Sequence, residues 1–321
     1  MNPTALLNAM PGAVSQGLIW GIMAIGVYIT YKILDIADLT VDGTMCTGGA
    51  VFIMSTMAGC SIPVALLLAF AAGMLAGLMT GVFHTFCGIP AILAGILSQL
   101  ALYSINLHIM GKANQPINAN NYTLLVSSRN VRALALNNPI FVVSIAVVLL
   151  IAVLYWFFGT ELGCSLRSTG SNLNMSRAQG INVNFAKVLA LMLSNGLVAL
   201  SSALLAQYQG FADVNMGRGG IVIGLAAVII GEVIFGKVFR NFALKLLSVV
   251  LGAIIYYIVY QFVIWLGMSG DDMKLITALI VAIFLALPYW KNKFMLTKTG
   301  KRYHEWLAAK KAKKAAKKEV A

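Results

Sequence analysis

Residues 161–207 read ELGCSLRSTGSNLNMSRAQGINVNFAKVLALMLSNGLVALSSALLAQ. The first half, Glu161 to Asn184, is a polar island rich in Gly, Ser, Asn and Arg. The second half, from about Phe185 to Gln207, is apolar with small residues and is long enough to be a membrane-crossing helix. A polar segment of this length opening into a span places a structured loop at a membrane surface. The rest of the chain can be laid out around it.

Composition supports a lipid solvent. Of 321 residues, 60% are hydrophobic and only 10% charged, against about 25% charged in soluble proteins; mean hydropathy is +0.87. Apolar runs of about 20 residues recur along the length, as in a helical bundle, and the alternating ten-residue segments of a β-barrel do not occur. The fold class expected is therefore all-α: a polytopic transmembrane helix bundle with about nine spans. These fall near residues 14–34, 45–58 (a short one), 63–83, 90–110, 139–158, 185–207, 221–235, 246–266 and 275–290. Pro11-Gly12 is expected to interrupt the helix before the first span. No signal-peptide cleavage site follows that span, so it is expected to remain as an anchor.

The net charge of +13 suggests nucleic acid until it is located. After Pro288 the chain holds 11 of the 23 Lys and Arg residues against Glu305 and Glu319, a net +9. Residues 1–290 thus form a membrane domain, with 161–187 its main loop, and 291–321 a basic tail. That tail reads either as a helix lying on anionic lipid or as a soluble extension. With nine spans and the C-terminus inside, 18 basic residues fall on the inner side and five on the outer, as the positive-inside rule requires.

IADLTVDGTMCTGGAV from Ile36 and FADVNMGRGGIV from Phe211 share Ala-Asp, an apolar-polar-apolar triplet, then glycines opening a helix. Five spans lie between them, so the two face opposite sides, the mark of an inverted-topology repeat. Two unrelated Asp caps before Gly-rich helices would look the same. Asp38, Thr40 and Asp42, with Asn195 and Asp213, are the candidates for lining a translocation pathway. Capping of the second helix and neutralisation of Lys32 is the competing reading. Ser194, Asn195, Ser201 and Ser202 can also tie helices together.

Cys46, Cys60, Cys87 and Cys164 are scattered, and the histidines have no ligand at i+3 or i+4, so no metal site is expected. No phosphate loop, HExxH or GxSxG motif occurs, and no catalytic apparatus or cofactor is expected. Any ATP-driven work belongs to another polypeptide.

Glu161, Gly163, Arg167, Gly170, Asn172, Ala178, Gly180, Ile181 and Lys187 resemble the cytoplasmic loop of ABC importer permeases in the branched-chain amino acid and ribose permease superfamily. DLTVDG at Asp38 resembles the acidic motif before that family's second helix. Its second aspartate is similar to the subgroup with a proposed tryptophan or tyrosine substrate. The resemblance covers about residues 14–290. It implies a multi-pass protein of the bacterial cytoplasmic membrane, with a cytoplasmic ATPase, an extracytoplasmic substrate-binding protein and a second permease copy as partners. The loop would then carry coupling helices docked on the ATPase, with Arg167, Arg177 and Lys187 supplying charge. The activity implied is uptake of a small organic solute, foremost an aromatic or branched-chain amino acid. Nucleoside or sugar import, or an ion-coupled secondary transporter, remain as alternatives.

Overall fold

The computed structural model describes residues 3–117, 122, 124–131, 138–236, 238–239 and 241–267, and a few residues between 275 and 293. Residues 1–270 form one compact unit and 271–321 a second. In the second, the described residues, 281–284 among them, are helical. The rest of the ninth span, and all of the basic tail except Lys293, lie outside the described residues.

The first unit is built from α1 (Pro3–Tyr28), α2 (Val41–Met57), α3 (Ile62–Thr85), α4 (Ala91–Met110), α5 (Pro139–Gly159), α6 (Glu161–Ser171), α7 (Leu173–Ala178), α8 (Val183–Gln209), α9 (Gly220–Phe235) and α10 (Phe242–Trp265). A π-turn, Ile29–Ile33, prolongs α1. Among the described residues, six helices are long and apolar enough to cross a membrane: α1 with its π-turn, α3, α4, α5, α8 and α10. Proline enters α3 and α5 in the first turn, where the missing N–H costs nothing. The expected interruption at Pro11 is absent. α1 runs straight through it, and the Pro11 carbonyl accepts a bond from the Ser15 hydroxyl.

The packing repeats itself. α1 lies along α10 as α8 lies along α3; α1 touches α9 as α8 touches α2; α9 meets α10 as α2 meets α3; and α1 and α8 meet at the centre. Small residues permit the approach. Gly73 and Gly77 of α3 sit on the backbone of α8 at Asn195 and Leu191, and Gly17 and Gly21 of α1 on α10 at Ile254 and Val250.

Contacts also fix the two ends of the bundle. At one, β1 (Asn114–Pro116) pairs antiparallel with β2 (Phe211–Asp213), Asn114 opposite Asp213. At the other, α6 packs against the end of the π-turn through Gly170 and Ile33, and Lys32 bonds Glu232 at 2.8 Å. These are the ribbon end and the loop end.

The second and seventh spans differ from expectation. α2 starts at Val41, earlier than the expected Met45, and lies beside the middle of α8: Thr44 meets Asn195 and Gly48 meets Ala199. Residues 34–40 lead back from the loop end to this depth as irregular backbone. α9 also starts inside, with Gly220 beside Met45 and Trp20 and Gly224 beside Val27. At 17 and 16 residues, each helix is about 25 Å long and falls short of the roughly 30 Å hydrocarbon core. Each is preceded by an irregular stretch that lies alongside the bundle. Backbone of that kind is tolerated at membrane depth only where protein encloses it. Here Leu34 N donates to Ile29 O and Ile36 N to Thr30 O, at 3.1 and 3.0 Å.

Candidate functional site

Asp38, Thr40 and Asn195 meet in one buried network. Asp38 Oδ1 accepts from the Thr40 backbone N–H at 2.9 Å. Its Oδ2 accepts from Asn195 Nδ2 at 2.7 Å. Asn195 Oδ1 in turn accepts from the Thr44 hydroxyl at 2.7 Å. The Thr40 hydroxyl lies 2.7 Å from that of Thr80, which donates to Ser98 at 2.8 Å. Asp38 is 2% exposed and Asn195 0%. The network joins the break before α2 to α3, α4 and α8. An unmet polar group in this interior would cost several kcal/mol, which is why each group has a partner.

The serines of α8 act as ties. Ser194 donates to Gly26 O at 2.8 Å and Ser201 to Ile19 O at 2.7 Å, both on α1. Ser202 donates to Met45 O on α2.

Asp42 is adjacent but serves a different element. Its carboxylate accepts from the backbone N–H groups of Gly219 and Ile221, at 3.0 Å each, closing the N-terminus of α9. Gly217 lies against the Asp42 carbonyl, where a Cβ would collide with backbone. The two breaks therefore meet inside the bundle. Asp213 stands apart at the ribbon end: its Oδ1 accepts from Asn215 N at 2.7 Å and its Oδ2 from Asn114 Nδ2 at 3.3 Å.

At the loop end, residues 161–182 form two short helices with side-chain caps. Thr160 Oγ1 accepts from Gly163 N at 3.4 Å to start α6, and Glu161 stands exposed in its first turn, suited to the helix dipole. Asn172 ends α6 and starts α7, its Oδ1 accepting from Asn174 N and Met175 N at 3.1 and 3.0 Å. Ala178 closes α7. Gly180 follows at φ +77°, and Ile181 N returns to Ser176 O at 3.1 Å.

Two glycines place this hairpin. Gly163 rests on the Phe157–Phe158 backbone and Gly170 on the Ile33 carbonyl, neither leaving room for a Cβ. Arg167 is turned toward the bundle: it donates to Phe158 O at 2.7 Å and lies 5.9 Å over the Phe242 ring. Lys187 also turns inward, its Nζ 3.3 Å from His84 Nε2. Arg177 and Arg167 are both exposed and Lys187 is half-buried, in a region that also exposes Leu162, Leu173, Met175 and Phe185. Exposed apolar side chains rimmed by polar residues are of the kind that meet a protein or a membrane.

Residues 10–288 match the profile described as branched-chain amino acid transport system, permease component. The chain belongs to that permease family. It is the permease component of an ABC transport system and a multi-pass membrane protein. A tyrosine transport system permease protein of Clostridioides difficile (strain R20291) is 41% identical over 281 residues, covering 87% of this chain and 91% of that one. The galactofuranose transporter permease protein of Escherichia coli (strain K12) is 27% identical over 250 residues, covering 77% and 70%. Among solved structures, PsaBC from Streptococcus pneumoniae in complex with Fab shares the fold at a TM-score of 0.52 and 15% identity, over 94% of this chain and 98% of that one.

The permease's sequence marked Asp38 and Asn195 but not their neighbours Thr44, Thr80 and Ser98. Their signal is a hydroxyl inside an otherwise apolar span, a pattern too common to single out any one of them without the fold.

Proposed function

We infer that this permease imports an aromatic amino acid, with tyrosine the first candidate. The carrying observation is the 41% identity to a tyrosine transport permease over nearly the whole of both chains. Sugar-type relatives stand further off, at 27%. The loop end faces the bacterial cytoplasm, supported by the excess of basic residues on that side, and the tail's own basic charge favours a cytoplasmic C-terminus. α6 and α7 dock on a separate ATPase, which hydrolyses the ATP. A substrate-binding protein delivers solute at the ribbon end, and a second permease copy completes the pathway.

The packing offers a mechanical route. A docked ATPase that shifts α6 presses Gly170 on Ile33, the last residue of the π-turn. Just beyond lie Asp35, with φ 56°, and then Asp38. A π-turn followed by a left-handed non-glycine residue is the kind of irregularity found at switching elements. Movement there reaches the Asp38 network and, through Asp42, the start of α9.

The test is uptake of labelled tyrosine by cells holding the intact transporter. Excess phenylalanine or tryptophan is expected to compete and galactose not. Competition by sugar with none by amino acids would overturn the substrate assignment.

A further inference from the structure

Between α2, α4 and the turn before α9 lies a cavity of about 230 Å³ lined by Asp42, Gln99, Tyr103, Asn106, Asn215 and Arg218. These polar groups share the wall with Cys46, Leu100 and Val214. Asn106 is 0% exposed, and its Oδ1 has no hydrogen-bond partner, although its Nδ2 donates to Gly43 O at 3.3 Å. Buried acceptors are nearly always satisfied, so an orphan at a cavity wall points to something that visits the cavity. Arg218 forms no ion pair among the described residues. Asp42 accepts from the backbone at the start of α9, at Gly219 and Ile221 with Gly220 between them, and a carboxylate has lone pairs beyond these. Ionisable groups beside the middle of a spanning helix persist when they face a partner or an aqueous path.

We propose that this cavity is a subsite of the permease itself for the zwitterionic head of an α-amino acid. Arg218 receives the carboxylate through its guanidinium, and Asp42 with the orphaned Asn106 Oδ1 receives the ammonium. Tyr103 stands at the same wall, positioned to meet the side chain. A sugar or a simple anion satisfies only half of this set. The cavity also sits where the two breaks meet, so filling it bears on Asp42 and the start of α9. The proposal rests on amino-acid import as the activity, and adds that selection continues after the binding protein has released its cargo.

The test uses the full-length chain in nanodiscs with labelled L-tyrosine. Tyramine, which lacks the carboxylate, and 3-(4-hydroxyphenyl)propionate, which lacks the ammonium, serve as competitors. Each is expected to compete at least tenfold more weakly than tyrosine. Arg218→Gln, an exposed change that leaves the packing intact, is expected to weaken tyrosine binding at least tenfold while leaving tyramine binding unchanged. In cells with the whole transporter, the same variant is expected to lower maximal uptake without moving the half-saturating concentration, which the binding protein sets. Asn106→Leu is expected to act in the same direction, and Arg218→Lys to restore part of the loss. Wild-type tyrosine binding and uptake by Arg218→Gln, or equal competition by tyramine, would overturn the subsite while leaving amino-acid import standing. A wild-type transporter that imports sugar and no amino acid would remove the import reading itself.

Discussion

The two breaks in the permease, before α2 and before α9, share a turn and differ in how deeply it is buried. In both, an aspartate Oδ1 accepts from the backbone N–H two residues on: Asp38 from Thr40 at 2.9 Å, Asp213 from Asn215 at 2.7 Å. This local bond reverses the chain and is what the repeated sequence encodes. In both, the second carboxylate oxygen accepts from a distant asparagine. For Asp38 that is Asn195, fully buried on α8, at 2.7 Å; for Asp213 it is Asn114, exposed on the ribbon, at 3.3 Å. The same motif is thus buried within the core in one half and set at the surface in the other. A sequence repeat specifies backbone chemistry, and the tertiary surroundings decide which copy carries the stakes.

The comparison is sharpest at the asparagines. Asn195→Leu leaves Asp38 Oδ2 without its donor inside the bundle, while Thr44 keeps only its bond to the Thr40 carbonyl. It is expected to cost about 3 kcal/mol, read as thermal unfolding in nanodiscs. Asn114→Ala, its surface counterpart, is expected to stay within about 0.5 kcal/mol. Equal losses would break the contrast.

A second effect is functional. Gly170→Val collides with the Ile33 carbonyl and is expected to cut uptake-coupled ATP hydrolysis at least tenfold, with the permease still inserted. Gly159→Ala, which meets nothing within 4 Å, serves as the matched control and is expected to keep coupling. Retained coupling in Gly170→Val would separate α6 from the first break.

Smaller still, Asp42→Asn keeps an acceptor for α9 but loses the charge at its N-terminus, at an expected cost of about 1 kcal/mol. The smallest effect belongs to Lys32→Ala. Its ion pair with Glu232 is about half exposed on both sides, and such pairs contribute at most about 1 kcal/mol. Unfolding midpoints at low and high salt check both variants, and only the ion pair should respond to salt appreciably.

Much of this fold is legible in the sequence. α4 ends at Met110 and α5 begins at Pro139, as the hydropathy and turn residues imply, and the cap at Asn172 follows from residue type. The ribbon is not legible, because strands of three residues such as Asn114–Pro116 carry no periodicity. Nor is the inward start of α2: hydropathy sees Val41-Asp42-Gly43 as loop, and the partners that bury it lie on α4, α8 and α9. Arg167 shows the same limit. Its charge suggests an outward interface, and it is exposed, but its bond to Phe158 O and its place over the Phe242 ring come from folding and could not be read from the sequence. Asp38 was visible as an acid in an apolar chain, while its bond to Asn195 spans 157 positions.

We propose that this permease is driven from its α6–α7 end by a separate ATPase. The most direct measurement is tyrosine accumulation in proteoliposomes holding the permease, its ATPase and its binding protein, with ATP enclosed on the ATPase side and no ion gradient. Uptake that requires ATP and disappears with Gly170→Val is the predicted result. Accumulation driven by an imposed proton or sodium gradient, without ATP or ATPase, would contradict it.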